Sequence, residues 1–499
     1  MSAIITTKFR FQSATNLTST VGGLSTDVFY LFIGRTFPWE TDSNPPIPDD
    51  TQYAENDAKQ NLVAMKKISS TSVSRCIPRY NWISGNEYSE YDDRNSLLST
   101  LQYFVVTDEL GVYKCIKKGP TGSEIKPVGI SSTIGETLSD GYQWKYMFTL
   151  SGNDVARFLT STFISAKTLI EDDTTAQWAV QTDAIDGAIH RIKVTSGGSG
   201  YTAKPTITIV GDGQNCTIQA SDITMSSGGV TGSVTEILVG ASRCGTGYNI
   251  ADVIISAPPI AENVATARAI ISPAGGHGSN PVDELGGFYV MVDVQLIAAD
   301  GTGDFPVDND FRQIGVIANP KLIDDTALSY SGRWITSHSY ITGDTVKFGN
   351  SMYVCSSSHT SSVFADDLAT HWIISAISTN STLNALSEIE YSSLTGVLTK
   401  DNNVLGSGSN AKGYVDSVDL ASHTIKFHQN ATTGFDTFNI GESISIVSLT
   451  GSVTATATIV NIKTSEYELG SGTIVYIENL SPVNRSISQT EDIKLVLEM

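Results

Sequence analysis

Phe29-Tyr30-Leu31-Phe32-Ile33-Gly34-Arg35-Thr36-Phe37-Pro38-Trp39 is the stretch on which the reading of this chain turns. Its first five residues are apolar without a break, the pattern of a strand buried on both faces. A matching pattern stands at the far end, in Tyr476-Ile477-Glu478-Asn479 and again in Gln489-Thr490-Glu491-Asp492-Ile493-Lys494-Leu495-Val496-Leu497. There Ile493, Leu495 and Leu497 alternate with Lys494, Val496 and Glu498. We expect both ends to belong to one core, with the residues between them folded as additions. The predicted architecture is a discontinuous core domain carrying β-rich insertions.

Composition agrees with that reading. At 499 residues the chain is too long for one core, and length alone suggests about three or four domains. Hydrophobic residues make up 40%, and Gly 43 against Pro 15 fits many short strands joined by tight turns. The fold class expected is mainly β or α+β, in several domains. With 31 basic and 52 acidic residues the formal charge is −21. Such a surface repels phosphate backbones, and no basic stripe offsets it, so no nucleic-acid partner is expected. The five cysteines are scattered singly with no Cys-x-x-Cys pair, which signals neither a zinc site nor a redox couple. No signal core opens the chain. Its longest apolar stretch, Phe288 to Ala299, is interrupted by Asp293 and Gln295. No membrane partner is expected, and folding in a reducing cytoplasm is.

Residues 1–190 read as the first part of the core. A helix is predicted from Thr51 to Ile68, because Ala54, Ala58, Leu62 and Met65 share a face. Asp49 and Asp50 would cap its start, and Lys66 and Lys67 suit its negative end. A second helix should begin at Ser151 or Asn153 and run through Phe158 and Leu159. Between them Tyr142, Trp144, Tyr146 and Phe148 alternate with Gln143, Lys145, Met147 and Thr149 after the turn Asp140-Gly141. Period two places the four rings on one face, more simply a core face than a binding face.

Residues 191–272 change character. Gly198-Ser199-Gly200-Tyr201 recurs as Gly245-Thr246-Gly247-Tyr248, each between two apolar strands, so a double-repeat β insert is expected. The glycine loops lack the helix and Lys-Ser/Thr pair of a phosphate cradle, which leaves turns that need positive φ. Residues 273–328 return to the core pattern through Phe288, Val290, Val292, Val294, Leu296 and Phe311-Arg312-Gln313-Ile314. Residues 329–377 form a small aromatic block, 378–471 a β-rich insert, and 472–499 the last core strand.

No motif for chemistry stands out. Gly-x-Ser-x-Gly, His-Glu-x-x-His and Gly-x-x-x-x-Gly-Lys do not occur. Acid pairs such as Asp172 and Asp173, Asp366 and Asp367, or Glu388 and Glu390 are ordinary on an acidic surface. Cys355, His359 and His371 lie close in sequence but at no recognised metal spacing. We therefore expect no catalytic residues, no metal ligands and no cofactor. The aromatic block holds the one candidate binding site. Trp334, Tyr340, Gly343-Asp344-x-Val346, Tyr353, His359-Thr360-Ser361 and His371-Trp372 resemble the small chitin- and cellulose-type carbohydrate-binding modules of secreted chitinases. That resemblance implies a surface glycan as partner, with Trp334, Tyr353 and Trp372 as stacking residues. His371 stands where such modules carry Tyr, so a structural use of the block is the competing reading. Two of the three rings are expected buried and one partly exposed.

A second resemblance covers more of the chain. Ile5-Thr6-Thr7-Lys8-Phe9-Arg10, Phe32-Ile33-Gly34-Arg35-Thr36-x-Pro38-Trp39, Ile77-Pro78-Arg79-Tyr80-Asn81-Trp82, Asp140-Gly141-Tyr142-x-Trp144-x-Tyr146-x-Phe148 and Phe311-Arg312-Gln313-Ile314-x-x-Ile317-x-Asn319-Pro320 follow one another in order. The terminal Tyr476-Ile477-Glu478-Asn479 and Gln489-Thr490-Glu491 complete the set. Together these segments resemble the baseplate wedge subunit, the gene product eight family, of T-even-type contractile-tailed phages. The resemblance spans residues 1–190, roughly 280–325 and 472–499, and the familiar member lacks the two β inserts. It implies a late viral protein without enzymatic activity, a homodimer assembled in the host cytoplasm. It also implies a place in the virion's tail baseplate, bridging other wedge subunits. The alternative is a tail adhesin that binds host glycan through residues 329–377.

Overall fold

A computed structural model of the chain describes residues 4–21, 27–226, 232–259, 263–296, 308–323, 330–348, 351–375, 381–485 and 490–499. The fold is mainly β, built from several separate sheets and one closed barrel. The chain divides into two compact units. One comprises Met1–Thr18, Ser74–Met291 and Leu495–Met499, the other Ser19–Val73 and Val292–Lys494.

The second of these units is organised by an antiparallel five-stranded sheet. Its order is Thr382–Asn384, Leu62–Lys67, Phe29–Gly34, Phe311–Ala318 and Thr473–Val483. All six residues of Phe29–Gly34 are buried, as their apolar run requires of a central strand. Tyr30 and Phe32 pack with Leu62, Met65, Ile317, Leu383 and Tyr467 in one cluster. Gly315 has no room for a side chain, since a Cβ there would meet the Phe32 ring and the Tyr476 carbonyl. The two terminal patterns part company: Tyr476–Asn479 lies in this sheet, whereas Glu491–Glu498 belongs to another.

The helix predicted over 51–68 stops halfway. It spans Gln52–Gln60, capped by the Thr51 side chain accepting from Ala54 N rather than by Asp49 or Asp50. Asn61 closes it, and Leu62–Lys67 becomes a strand between Phe29–Gly34 and Thr382–Asn384. Four successive buried residues, Leu62 to Met65, suit a strand covered on both faces, so tertiary pairing overrides the helical spacing.

Residues 387–463 of the same unit close into a six-stranded barrel. The strands run Ser387–Gly396, Thr424–His428, Lys412–Asp419, Asn403–Gly406, Ser443–Val447 and Val453–Lys463 around it. Alternate residues, among them Ile389, Val404, Val415, Ile425, Phe427, Ile444 and Ile459, fill its interior. Closure leaves no unpaired edge within the barrel.

In the other unit, Phe104–Val106, Gly111–Lys117 and Gln143–Thr149 form a three-stranded sheet. Tyr142, Trp144 and Tyr146 share a buried cluster with Tyr88 and Tyr113. Phe148 departs from the predicted face and joins Met147 in a different cluster. The cause is a bulge: Val112 pairs with Phe148 but Tyr113 with Tyr146, leaving Met147 extra and reversing the alternation. The second helix is Gly152–Phe158, begun by a capping box between Ser151 and Asp154.

The repeated turns also lie in this unit. Gly198, Gly200, Gly245 and Gly247 all have positive φ, and Tyr201 and Tyr248 are buried in a common core. The two copies pair with one another. Ile237 in the first strand of the second copy faces Ile192 in the first strand of the first, and Ala251–Ile255 lies against Ile207–Gly211.

Candidate functional site

The segments that carry the phage-family resemblance are occupied with structure. Arg35 takes positive φ, at 57°. Its guanidinium lies over the rings of Phe37 at 4.0 Å and Trp39 at 3.6 Å. Burial lowers its pKa to about 10, against the opposing pull of Asp57. Arg312 donates to both carboxylate oxygens of Asp42, at 3.0 and 2.9 Å, and to the Thr36 carbonyl. Asn319, also at positive φ, accepts from the Val28 N–H at 2.9 Å and so fixes the entry to the central strand. In the other unit, Asp140 accepts from the backbone N–H groups of Glu124 and Ile125, both at 3.0 Å, and of Tyr142 at 3.1 Å. A single carboxylate thereby ties a loop to the start of the aromatic strand.

The aromatic block is a small β module. Thr345–Phe348, Ser351–Cys355 and Trp372–Ile374 pair in sequence, and helix Phe364–His371 packs beside them. Tyr340, Val346, Cys355, Phe364 and Trp372 form its buried core. The three candidate stacking residues separate by environment. Trp372 is buried, edge-on to Tyr340 at 5.0 Å, whereas Trp334 and Tyr353 are half-buried. This reverses the expectation of two buried rings and one partly exposed. Phe364 explains the reversal: it fills the interior, and Trp334 and Tyr353 meet it edge-on at 5.5 and 4.9 Å from outside. Phe348, 42% exposed, stacks flat on Phe364 at 3.7 Å.

Cys355, His359 and His371 do come together, but as a packed stack. The two imidazoles lie face to face at 4.1 Å with 7° between planes. Cys355 Sγ stands 3.8 Å from His359 Nδ1 and donates to the Ser357 carbonyl. His371 Nδ1 is 2.7 Å from the Ser357 hydroxyl. Asp367 accepts from the backbone and hydroxyl of Ser362, each at 2.9 Å. Burial works to raise its pKa, and these bonds, with His359 nearby, more than reverse that. Among the described residues no three His, Cys, Asp or Glu side chains are arranged to hold a metal ion.

A groove of about 630 Å³ lies between the sheet-edge residues Ile474–Ile477 and the segment Asp49–Gln52 that leads into helix Gln52–Gln60. Glu55 accepts the Ile474 N–H there at 3.3 Å, so this chain's own side chain satisfies one donor of the open edge. Sequence reasoning missed a further polar cluster, around Lys114, Lys145, Glu284, His190 and His277. Its members come from strands, a turn and the short helix Pro281–Glu284, mostly far apart in the chain, and only the lone Lys145 within an aromatic strand hints at it.

These features define a mainly β protein of several small sheets and a barrel, whose motif residues brace loops and strand ends. Among the described residues no helix is long and apolar enough to cross a membrane. No family model matches the chain. Over 185 residues the chain is 24% identical to the baseplate wedge protein gp8 of Enterobacteria phage T4, covering 30% of this chain and 55% of that one. The chain thus spans about half the length of the curated relative it matches.

Proposed function

We propose that this chain is a structural subunit of a contractile phage tail baseplate, placed in the wedge and bridging neighbouring wedge proteins during assembly and contraction. The observation that carries the reading is the similarity to the baseplate wedge protein of phage T4. Its support in the fold is that Asp140, Arg312 and Asn319 brace the backbone and Arg35 packs on Trp39, all within the resembling segments, rather than surround a reactive centre. On this reading the protein is no enzyme. It is assembled in the host cytoplasm as a late product, forms a homodimer and works in the virion. Electron cryomicroscopy of intact tails, with the chain located by its barrel, tests the placement; tails that lack the chain while remaining infectious would sink it. Sedimentation of the purified protein at micromolar concentration tests the dimer, since subunits held permanently together commonly bury roughly 2,000 Å² or more.

A second reading is a glycan-binding tail adhesin. Its support is the half-buried Trp334 and Tyr353 beside the exposed Phe348, rings that retain open surface on which a pyranose can stack. Trp372 would then serve the module's core rather than the sugar.

A further inference from the structure

Lys114 and Lys145 stand directly opposite one another on paired antiparallel strands, and they are 0% and 2% exposed. Like charges in that position repel, and a buried ammonium is costly unless an opposite charge compensates it. Lys114 is compensated. Its Nζ donates to Glu284 Oε2 at 2.9 Å, lies 3.0 Å from His277 Nδ1 and sits 4.0 Å from the centre of the Tyr91 ring. The other oxygen of Glu284 is taken by the N–H groups of Gly278 at 2.7 Å and Asn280 at 3.2 Å. Lys145 makes no ion pair among the described residues: Glu284 and Asp183 favour its ammonium only through space, and the ammonium donates to the Ser132 carbonyl.

The imidazoles nearby add no negative charge. Burial, reinforced by the charges of Lys145 and Lys114, holds His190 down to about 4; burial, then Lys114, His190 and Lys145, holds His277 well below its ordinary value, so both are neutral at pH 7. Burial also lowers Lys145, to about 8, which leaves it cationic at neutral pH. Among the buried groups, two ammonium groups and one carboxylate leave one positive charge in excess, since Asp183 at the rim is exposed to water. Beside it lies a cavity of about 50 Å³ lined by Ser132, Lys145, Asp183, His190 and His277. That space exceeds the share of liquid volume of one water, about 30 Å³. Asp183 is exposed and makes no ion pair with Lys145, although its charge favours the ammonium.

We propose that this cavity is a binding site for one small inorganic anion of about the size of chloride, held against Lys145 with His190 and His277 in its wall. The anion supplies the charge that Glu284 cannot, because Glu284 is already committed to Lys114. On a chain of formal charge −21, general attraction of anions is weak, so a saturable anion effect reports a local site.

The test uses the full chain. Melting is followed as chloride replaces gluconate at constant ionic strength, and crystals soaked in bromide are examined for anomalous signal. The expected result is a saturable rise in Tm, roughly 2–5 °C at a hundredfold excess over Kd, with a bromide peak beside Lys145 Nζ. Lys145→Met should abolish both effects, and Asp183→Asn should bring half-saturation to lower chloride. If Lys145→Met does not fold, Lys145→Gln and the bromide peak in the unaltered protein decide. The absence of both a saturable response and a bromide peak would overturn the proposal and assign Asp183 or deprotonation as the source of neutrality. A response to inorganic phosphate without one to bromide would overturn the size assignment.

Discussion

The hydroxyl of Thr36 donates to the carboxylate of Asp416 at 2.6 Å, joining the end of the central strand's motif to a strand of the barrel. Asp416 is fully buried and also takes His428 Nδ1 at 2.8 Å. The Asn309 side chain donates to its carbonyl. Asn430 continues the chain of bonds to Asn61 at 2.9 Å, just after helix Gln52–Gln60. The network fastens the barrel onto the five-stranded sheet within one unit. Asp416→Ala should destabilise that unit by about 2–5 kcal/mol, because the Thr36 hydroxyl and His428 Nδ1 are left buried without their partner. Thr36→Val should cost less, about 1.5–3 kcal/mol for a bond to a charged group. Denaturant unfolding followed by tryptophan fluorescence measures both; equal, negligible losses would show that the barrel is held by apolar contact alone.

Glu468 predicts a pH dependence. Its carboxylate is 2% exposed, and burial raises its pKa to about 7, the Ser375 hydroxyl and the Lys321 ammonium lowering it only in part. The folded state therefore holds this proton more tightly than the unfolded chain does. Its contribution is unaffected below about pH 4, becomes unfavourable as pH rises through the window up to about 7, and is fully unfavourable above it. Glu468→Gln should accordingly stabilise the protein at pH 8, by about 3 kcal/mol at most, and change little at pH 4. A variant less stable than the parent at pH 8 would show that the ionised carboxylate has a partner.

The double-repeat insert should be removable at its neck. Ile189–Ser196 and Thr266–Ile271 are paired strands, with Val194 opposite Ala267 and Ser196 opposite Thr266. Replacing 197–265 by a short turn retains that ladder and keeps the bonds from Lys193 to Glu90 and from Arg268 to Asp92. The shortened protein should still unfold cooperatively and keep the parent's oligomeric state in sedimentation. A molten product would mean that the residues around Tyr201 and Tyr248 complete the core rather than decorate it.

Local demands on the backbone were legible in the sequence, and long-range partners were not. Gly198 and Gly245 could be read as turns because only glycine takes positive φ freely, and Ser151 with Asp154 announces a helix start. Leu62 to Met65 misled because spacing fits a helix face while the same run suits a buried strand; the partner strands, Phe29–Gly34 and Thr382–Asn384, decide. Phe148 was misplaced because nothing local announces that Met147 is a bulge. Closure of the barrel was equally hidden, since alternation says which face is buried but not which strand comes next. The aromatic block is visible as a cluster, yet which rings are covered depends on Phe364, whose place in the interior nothing local announces.

The same block gives the sharpest contrast between the two functional readings. Trp372 lies in the module core, edge-on to Tyr340 at 5.0 Å and with its face toward Phe364 at 6.3 Å. Trp372→Ala should therefore cost about 3–5 kcal/mol, as truncation of a core aromatic does. Trp334 and Tyr353 touch that core from outside, and truncating either should cost less than half as much. If the module is a spacer in a tail subunit, neither exposed-side variant changes anything but stability, and the full chain is not retained on chitin. If it binds glycan, retention is saturable, and Trp334→Ala or Tyr353→Ala removes it while the protein stays folded. We expect no retention. Retention lost in those two variants, with circular dichroism and melting otherwise preserved, would transfer the function from the wedge to the adhesin.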